Sequence, residues 1–96
     1  MELPSDLNIF IQHTFAPEDW TQAISVLEGA RIETGEAPSA RLLRCAAFAS
    51  RGNLQRLQHY TSMLAIDWRD VVVAGEYESQ GGMPVCVRDL SQPLQV

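Results

Sequence analysis

The sequence predicts an all-α fold, a compact bundle of about five short helices with a short extended C-terminal arm over residues 80–96. Three observations predict it. Apolar residues recur at steps of three and four through most of the chain as far as Tyr77. Helix-start signals recur at Pro17, Pro38, Asn53 and Asp67. The 96 residues, 46 % hydrophobic and 20 % charged, have the ordinary balance of one globular domain with a single modest core.

Each element has its own local grammar. Ser5 is a candidate cap for a first helix with Leu7, Phe10 and Ile11 on one face. Pro17 suits the first position of a second helix, and Glu18 and Asp19 in its first turn complement the helix dipole. Trp20, Ala23, Ile24, Leu27 and Ala30 form its apolar stripe, with Gly35 as the stop. Pro38 then opens a third helix to about Arg51, with Leu42, Cys45, Ala46 and Ala49 on one side and Arg41, Arg44, Phe48 and Arg51 on another.

Residues 52–77 hold the densest pattern. Gly52 closes the third helix, and the Asn53 side chain is placed to cap a fourth, about Leu54–Ile66. Leu54, Leu57, Thr61, Leu64 and Trp68 make one stripe. Asp67 is the cap for a fifth helix, about Trp68–Tyr77, and Asp70 stands where a capping-box partner would. The run Val71-Val72-Val73 favours strand by propensity. It is expected to be helical because Trp68, Val71, Val72 and Gly75 share a face behind a cap. Trp68 and Tyr77 are expected to supply much of the packing mass. Beyond Tyr77, Gly81-Gly82 and Pro84 break the helical pattern. An extended arm lying on the helices is expected there, since a lone strand would need a partner.

Composition narrows the function classes. No apolar run approaches the length needed to span a bilayer, and the first ten residues lack a basic, apolar leader. A cytoplasmic location is expected by default. Cys45 and Cys86 are too few and too far apart for a disulfide framework and are expected to be free packing residues. The net charge of −5 argues against nucleic-acid and anionic-membrane binding. Its distribution says more. Residues 1–36 carry −6, residues 37–69 carry +4, and residues 70–96 carry −3. All seven basic residues are arginine, which suits bidentate contacts to carboxylates and which GC-rich coding also produces.

Two candidate sites follow. Arg41, Arg44 and Arg51 frame Phe48, a composition found at protein–protein contacts. Their competing role is to pair with the acidic first third of the chain. The second candidate is the acidic set Asp67, Asp70, Glu76 and Glu78, since a hard cation such as Mg²⁺ is held by carboxylates and water. The aspartates also have helix-start roles, which compete with that reading. His13 and His59 stand alone, and no phosphate loop or nucleophilic triad is signalled locally.

The segment GNL…DWRDVVVAGEYE resembles a small bacterial family without an assigned activity. That family's pattern is a glycine, an Asp or Asn and a leucine, then DWRDV, then AEYE, then an Arg-Asp pair near the tail. The matching residues are Gly52, Asn53, Leu54, Asp67, Trp68, Arg69, Asp70, Val71, Glu76, Tyr77, Arg88 and Asp89. The resemblance covers about residues 38–90. It implies a bacterial, cytoplasmic protein and brings no catalytic residue.

The expected function is therefore a non-catalytic interaction or adaptor domain, without cofactor. Its surface would be the arginine–Phe48 stripe or the exposed side of the fifth helix. Its partner would be a protein or, by self-association, a second copy. The alternative is a small metal-assisted hydrolase using Asp67, Asp70, Glu76 and Glu78.

Overall fold

The five expected helices form, and a β-hairpin joins them. A computed structural model describes residues 3–94. The elements are α1 (Ser5–Thr14), a single 3-10 turn at Pro17–Asp19, α2 (Trp20–Glu28), α3 (Ala40–Ser50), α4 (Leu54–Leu64) and α5 (Trp68–Glu76). Strands β1 (Tyr77–Gln80) and β2 (Met83–Cys86) follow without a linker. The two last residues of the expected arm, 95 and 96, lie outside the described residues.

Capping explains where most helices begin. Ser39, not Pro38, starts α3, its hydroxyl oxygen accepting from Leu42 N–H. Asn53 accepts from Arg56 N–H at 3.0 Å and Asp67 from Arg69 N–H at 3.1 Å, as the sequence predicts. Ser5 does not cap: it already lies inside α1, which Pro4 precedes without a side-chain bond. Helix α2 ends at Glu28, well before Gly35, which instead serves a later turn at φ 86° with its N–H on Ile32 O. With Val71 to Val73 inside α5, the cap at Asp67 and the burial of Val71 outweigh strand propensity.

Helix α3 is the centre of the bundle and is buried on nearly every side, including Leu43, Arg44, Ala47 and Ser50, which the expected two-face division leaves outside the core. It packs most extensively on α5 and α4, with α2 behind α4 and α1 closing the open side. Small residues allow the α3–α5 approach. A Cβ built on Gly75 would lie 2.7 Å from Cys45 Cα and 3.0 Å from Cys45 O, so only glycine fits. Leucines and other aliphatic residues fill the centre (Leu7, Ile11, Leu27, Leu43, Leu57, Leu64 and Val71), all fully buried. Trp68 does not join them, and Tyr77 is half-buried at the head of β1.

The expected extended arm begins as a β-hairpin. Gly81 (φ 59°) and Gly82 (φ 83°) both take the left-handed conformation that a two-residue type I′ turn requires. Tyr77 therefore pairs with Cys86, Glu78 with Val85, Ser79 with Pro84 and Gln80 with Met83. The missing strand partner was the stretch just before the glycines. Cys86 is exposed on β2 rather than packed, whereas Cys45 is buried as expected. The chain then returns to the bundle. Val87 and Arg88 N–H donate to Glu76 O, and Leu90 is buried.

The α3–α5 contact makes a sharp prediction with a built-in control. Gly75→Ala should lower unfolding free energy by roughly 1–3 kcal/mol in urea titration, because backbone atoms of Cys45 cannot move aside. Gly29→Ala, at φ −86° with only ordinary contacts, should be neutral or stabilise by up to about 1 kcal/mol.

Candidate functional site

The arginine stripe expected on α3 is divided among three environments. Arg44 turns inward. Its Nε and Nη2 donate to Asp6 Oδ2 and Oδ1 at 2.9 and 3.3 Å, and Nη1 donates to Leu90 O and Ser91 O. Asp6 also accepts from Leu94 N–H at 3.1 Å. The group joins α1, α3 and the tail, so Arg44 is an internal clamp, not a contact surface. Here the pairing with the acidic first third does occur.

Arg41 pairs elsewhere, with Glu76. Its Nε and Nη2 donate to Oε2 and Oε1 at 2.8 and 2.6 Å, the bidentate fork of a charge-assisted pair. Glu76 is only 1 % exposed, and its Oε2 also accepts from Leu90 N–H at 3.1 Å. The Arg41 side chain remains 48 % exposed, so one partner of the pair is buried and the other faces solvent. The Cys45 thiol lies 3.9 Å from Glu76 Oε2. Burial, reinforced by the Glu76 charge, pushes that thiol up to about 12, which keeps it protonated and unreactive.

Phe48 and Arg51 meet a residue from the tail. The Phe48 ring stacks with Phe10 at 6.3 Å, and the guanidinium carbons of Arg88 and Arg51 lie 4.2 and 5.0 Å from its centroid. Arg88 Nη1 donates to Gly75 O at 2.7 Å, and Nη2 is paired with Glu78. Arg51 has no ion pair among the described residues and ends α3 at φ 54°, ψ 37°. It is the one described non-glycine residue at positive φ. That conformation costs a side chain roughly 1–2 kcal/mol. An exposed cation–π contact returns only about 0.5–1 kcal/mol. The contact, together with the backbone entropy that glycine would lose on folding, offsets that cost to a similar extent.

The outer face of the α3–α5 seam carries an open groove of about 350 Å³. Ile32, Leu42, Trp68 and Val72 form its apolar wall, with Ser39 and Arg41 at the polar end. Trp68 is 37 % exposed, with the Arg69 guanidinium 5.5 Å from its ring, and the neighbouring Ile66 is 70 % exposed. Sequence periodicity assigns Trp68 to the core because it continues the α4 stripe. The stripe breaks at Asp67, and the indole is left partly exposed in the groove wall. Arg88 was hidden for another reason: it lies 40 positions from Phe48 in a segment without helical spacing.

The acidic set does not assemble. Asp67 and Asp70 lie at the start of α5, and Glu76 at its end, about 13 Å from Asp67 and about 9 Å from Asp70 along the axis. Glu76 is committed to Arg41, and Glu78 points to Arg88 on the hairpin. Among the described residues, no three His, Cys, Asp or Glu side chains are placed to hold a metal ion. Cap and ion-pair roles hold the members of the expected carboxylate centre apart.

Two carboxyls give the molecule an acid limit. The Arg41 hydrogen bonds hold Glu76 below its ordinary value of 4.5 and outweigh the effect of burial. Burial raises Asp6, but bonds from Arg44 and Leu94 N–H outweigh it and leave it below 3.8. A lowered folded-state value means that the folded form releases protons the unfolded chain keeps. The stabilisation is thus complete above the unfolded values and is lost as pH falls through the lowered ones. Urea midpoints should hold steady above about pH 5 and decline below about 4.5, with a shallower decline in Glu76→Gln. Parallel acid limbs in the two proteins would remove Glu76 from the account.

Compared with known proteins, the chain matches no family model, no curated protein and no solved structure.

Proposed function

We propose that this domain is a non-catalytic interaction module that receives an apolar side chain of a protein partner in the groove beside Trp68. The observation that carries the reading is the groove itself. A 350 Å³ apolar concavity with an aromatic wall and one arginine at its end has the composition of an interface anchor pocket. No buried side-chain nitrogen or oxygen among the described residues lacks a hydrogen bond, so the polar interior is occupied with holding the fold. The reading narrows the sequence expectation to the exposed side of α5, with Arg41 shared by both surfaces. A second copy of the chain is the simplest alternative occupant, and sedimentation analysis distinguishes it. The DWRDV resemblance supports placing this activity in the cytoplasm of a bacterium.

The test uses Trp68→Ala, which removes groove wall but little core. Its helical circular dichroism and melting temperature should stay close to wild type. Tagged wild type should retain a protein from native lysate that this variant loses. Retention of the same protein by both would show that the groove is not the contact. A shift to dimer by wild type alone would make the partner a second copy.

A further inference from the structure

Beyond the hairpin the chain returns across α5, α3 and α1 without forming helix or strand, and charged side chains grip its backbone. We propose that residues 89–94 are a displaceable strap, lying in a peptide seat that an extended Asp-Leu-x-x-x-Leu segment of a protein partner occupies when the strap lifts. The inference goes beyond the groove reading and does not depend on it.

The seat reads main chain. Glu76 Oε2 accepts from Leu90 N–H at 3.1 Å, and Arg44 Nη1 donates to Leu90 O and Ser91 O at 3.4 and 3.2 Å. Asp6 Oδ2 accepts from Leu94 N–H at 3.1 Å. An acceptor from α5, a donor from α3 and an acceptor from α1 thus follow one another along the strap. Main-chain bonds of this kind admit any residue, and selection falls to side-chain anchors. Two anchors are present, four positions apart: Leu90 is buried, and Leu94 packs against the same core.

The seat stands without its occupant. The Arg44 fork on Asp6 and the Arg41 fork on Glu76 both come from the helices, so each carboxylate keeps its ion pair when the strap leaves. No buried charge is left alone, which is the circumstance that would hold the strap down. The strap also keeps its own shape. Asp89 Oδ1 accepts from the N–H and the hydroxyl of Ser91, and Gln92 N–H donates to Asp89 O. Within residues 89–94 only Leu90 is buried, so little apolar surface resists lifting.

The pivot is Arg88. Its guanidinium is fastened to Gly75 O and Glu78 and lies over the Phe48 ring, while the N–H groups of Val87 and Arg88 donate to Glu76 O. Residues 89–94 can therefore swing away with the hairpin still in place.

Two measurements on the full chain test the proposal. In native-state hydrogen exchange, the Leu90 and Leu94 amides should open together, with protection at least about tenfold below that of the α3 and α5 amides. Equal protection in strap and α3 would overturn the proposal, since the strap would then leave only on global unfolding. The second measurement follows a labelled Asp-Leu-Ser-Gln-Pro-Leu peptide by fluorescence anisotropy. Leu90→Asp removes the tethered anchor and sets a carboxylate beside Glu76, which lifts the strap. This variant should bind the peptide at least about tenfold more tightly than wild type, where the tethered strap competes at about millimolar effective concentration. A peptide with alanine at both leucine positions should lose about tenfold or more.

Equal peptide affinity in wild type and Leu90→Asp would overturn the proposal, as would absence of binding by both. If thermal melting shows Leu90→Asp unfolded, Leu94→Asp, whose new carboxylate faces Asp6, takes its place in the same comparison. Adding Trp68→Ala to the strap-lifted variant should leave peptide affinity unchanged. Loss there would place the peptide in the groove, overturning this inference and leaving the interaction reading intact.

Discussion

A carboxylate as deeply enclosed as Glu76 has to be surrounded by donors, and meeting that need ties most of the molecule together. Leaving such a group charged and unpaired would cost several kcal/mol. It is matched by the fork of Arg41 from α3 and by the Leu90 N–H of the returning tail. Its own backbone carbonyl receives Val87 and Arg88, which sets the base of the hairpin. One residue earlier, Gly75 brings α5 against Cys45 closely enough for the Arg41 fork to reach. Helix spacing, tail path and hairpin position thus answer to one charge. The groove depends on it as well, since Arg41 forms both its polar end and the Glu76 pair.

Local rules made the helices legible. Asn53 and Asp67 cap because each side-chain oxygen finds an N–H two or three residues ahead, a relation contained in the sequence itself. The same holds for Val71 to Val73, where cap and periodicity together identified helix against residue preference. Long-range electrostatics were legible only as a general pairing of the arginines with the acidic first third, not residue by residue. Arg44 turns inward because Asp6, 38 positions away, meets it there, and spacing rules assign an arginine outward. The hairpin escaped for a related reason: the fifth helix is expected to end at Tyr77 and Glu78 to Gln80 carry no strand signal, so nothing stands opposite Met83 to Cys86. Of the candidate stripe, only Phe48 and Arg51 stayed together, and the residue that completes their corner, Arg88, comes from beyond any helical period.

The hairpin also shows how a two-stranded sheet can stand in solvent without inviting association. Counting outward from the two-residue turn, Ser79 and Pro84 form a pair whose backbone groups point away from one another. Pro84 therefore gives up no ladder bond, and it removes a donor from the outer edge of β2. Met83, 68 % exposed, leaves apolar surface on that strand, so the missing donor blunts an edge that would otherwise template pairing.

The bonds at Asp6 have a consequence for the order in which the molecule assembles. Its carboxylate is satisfied by Arg44 and by Leu94, the latter across 88 positions of sequence. Helices α3, α4 and α5 are neighbours along the chain and can associate early through contacts of short sequence separation. The amino-terminal helix cannot be secured in the same way. Its last charge contacts become available only when residues 90–94 have arrived, so during synthesis the first helix made is among the last to be locked. Clipping the chain after the hairpin would then loosen the opposite end of the sequence first, at α1.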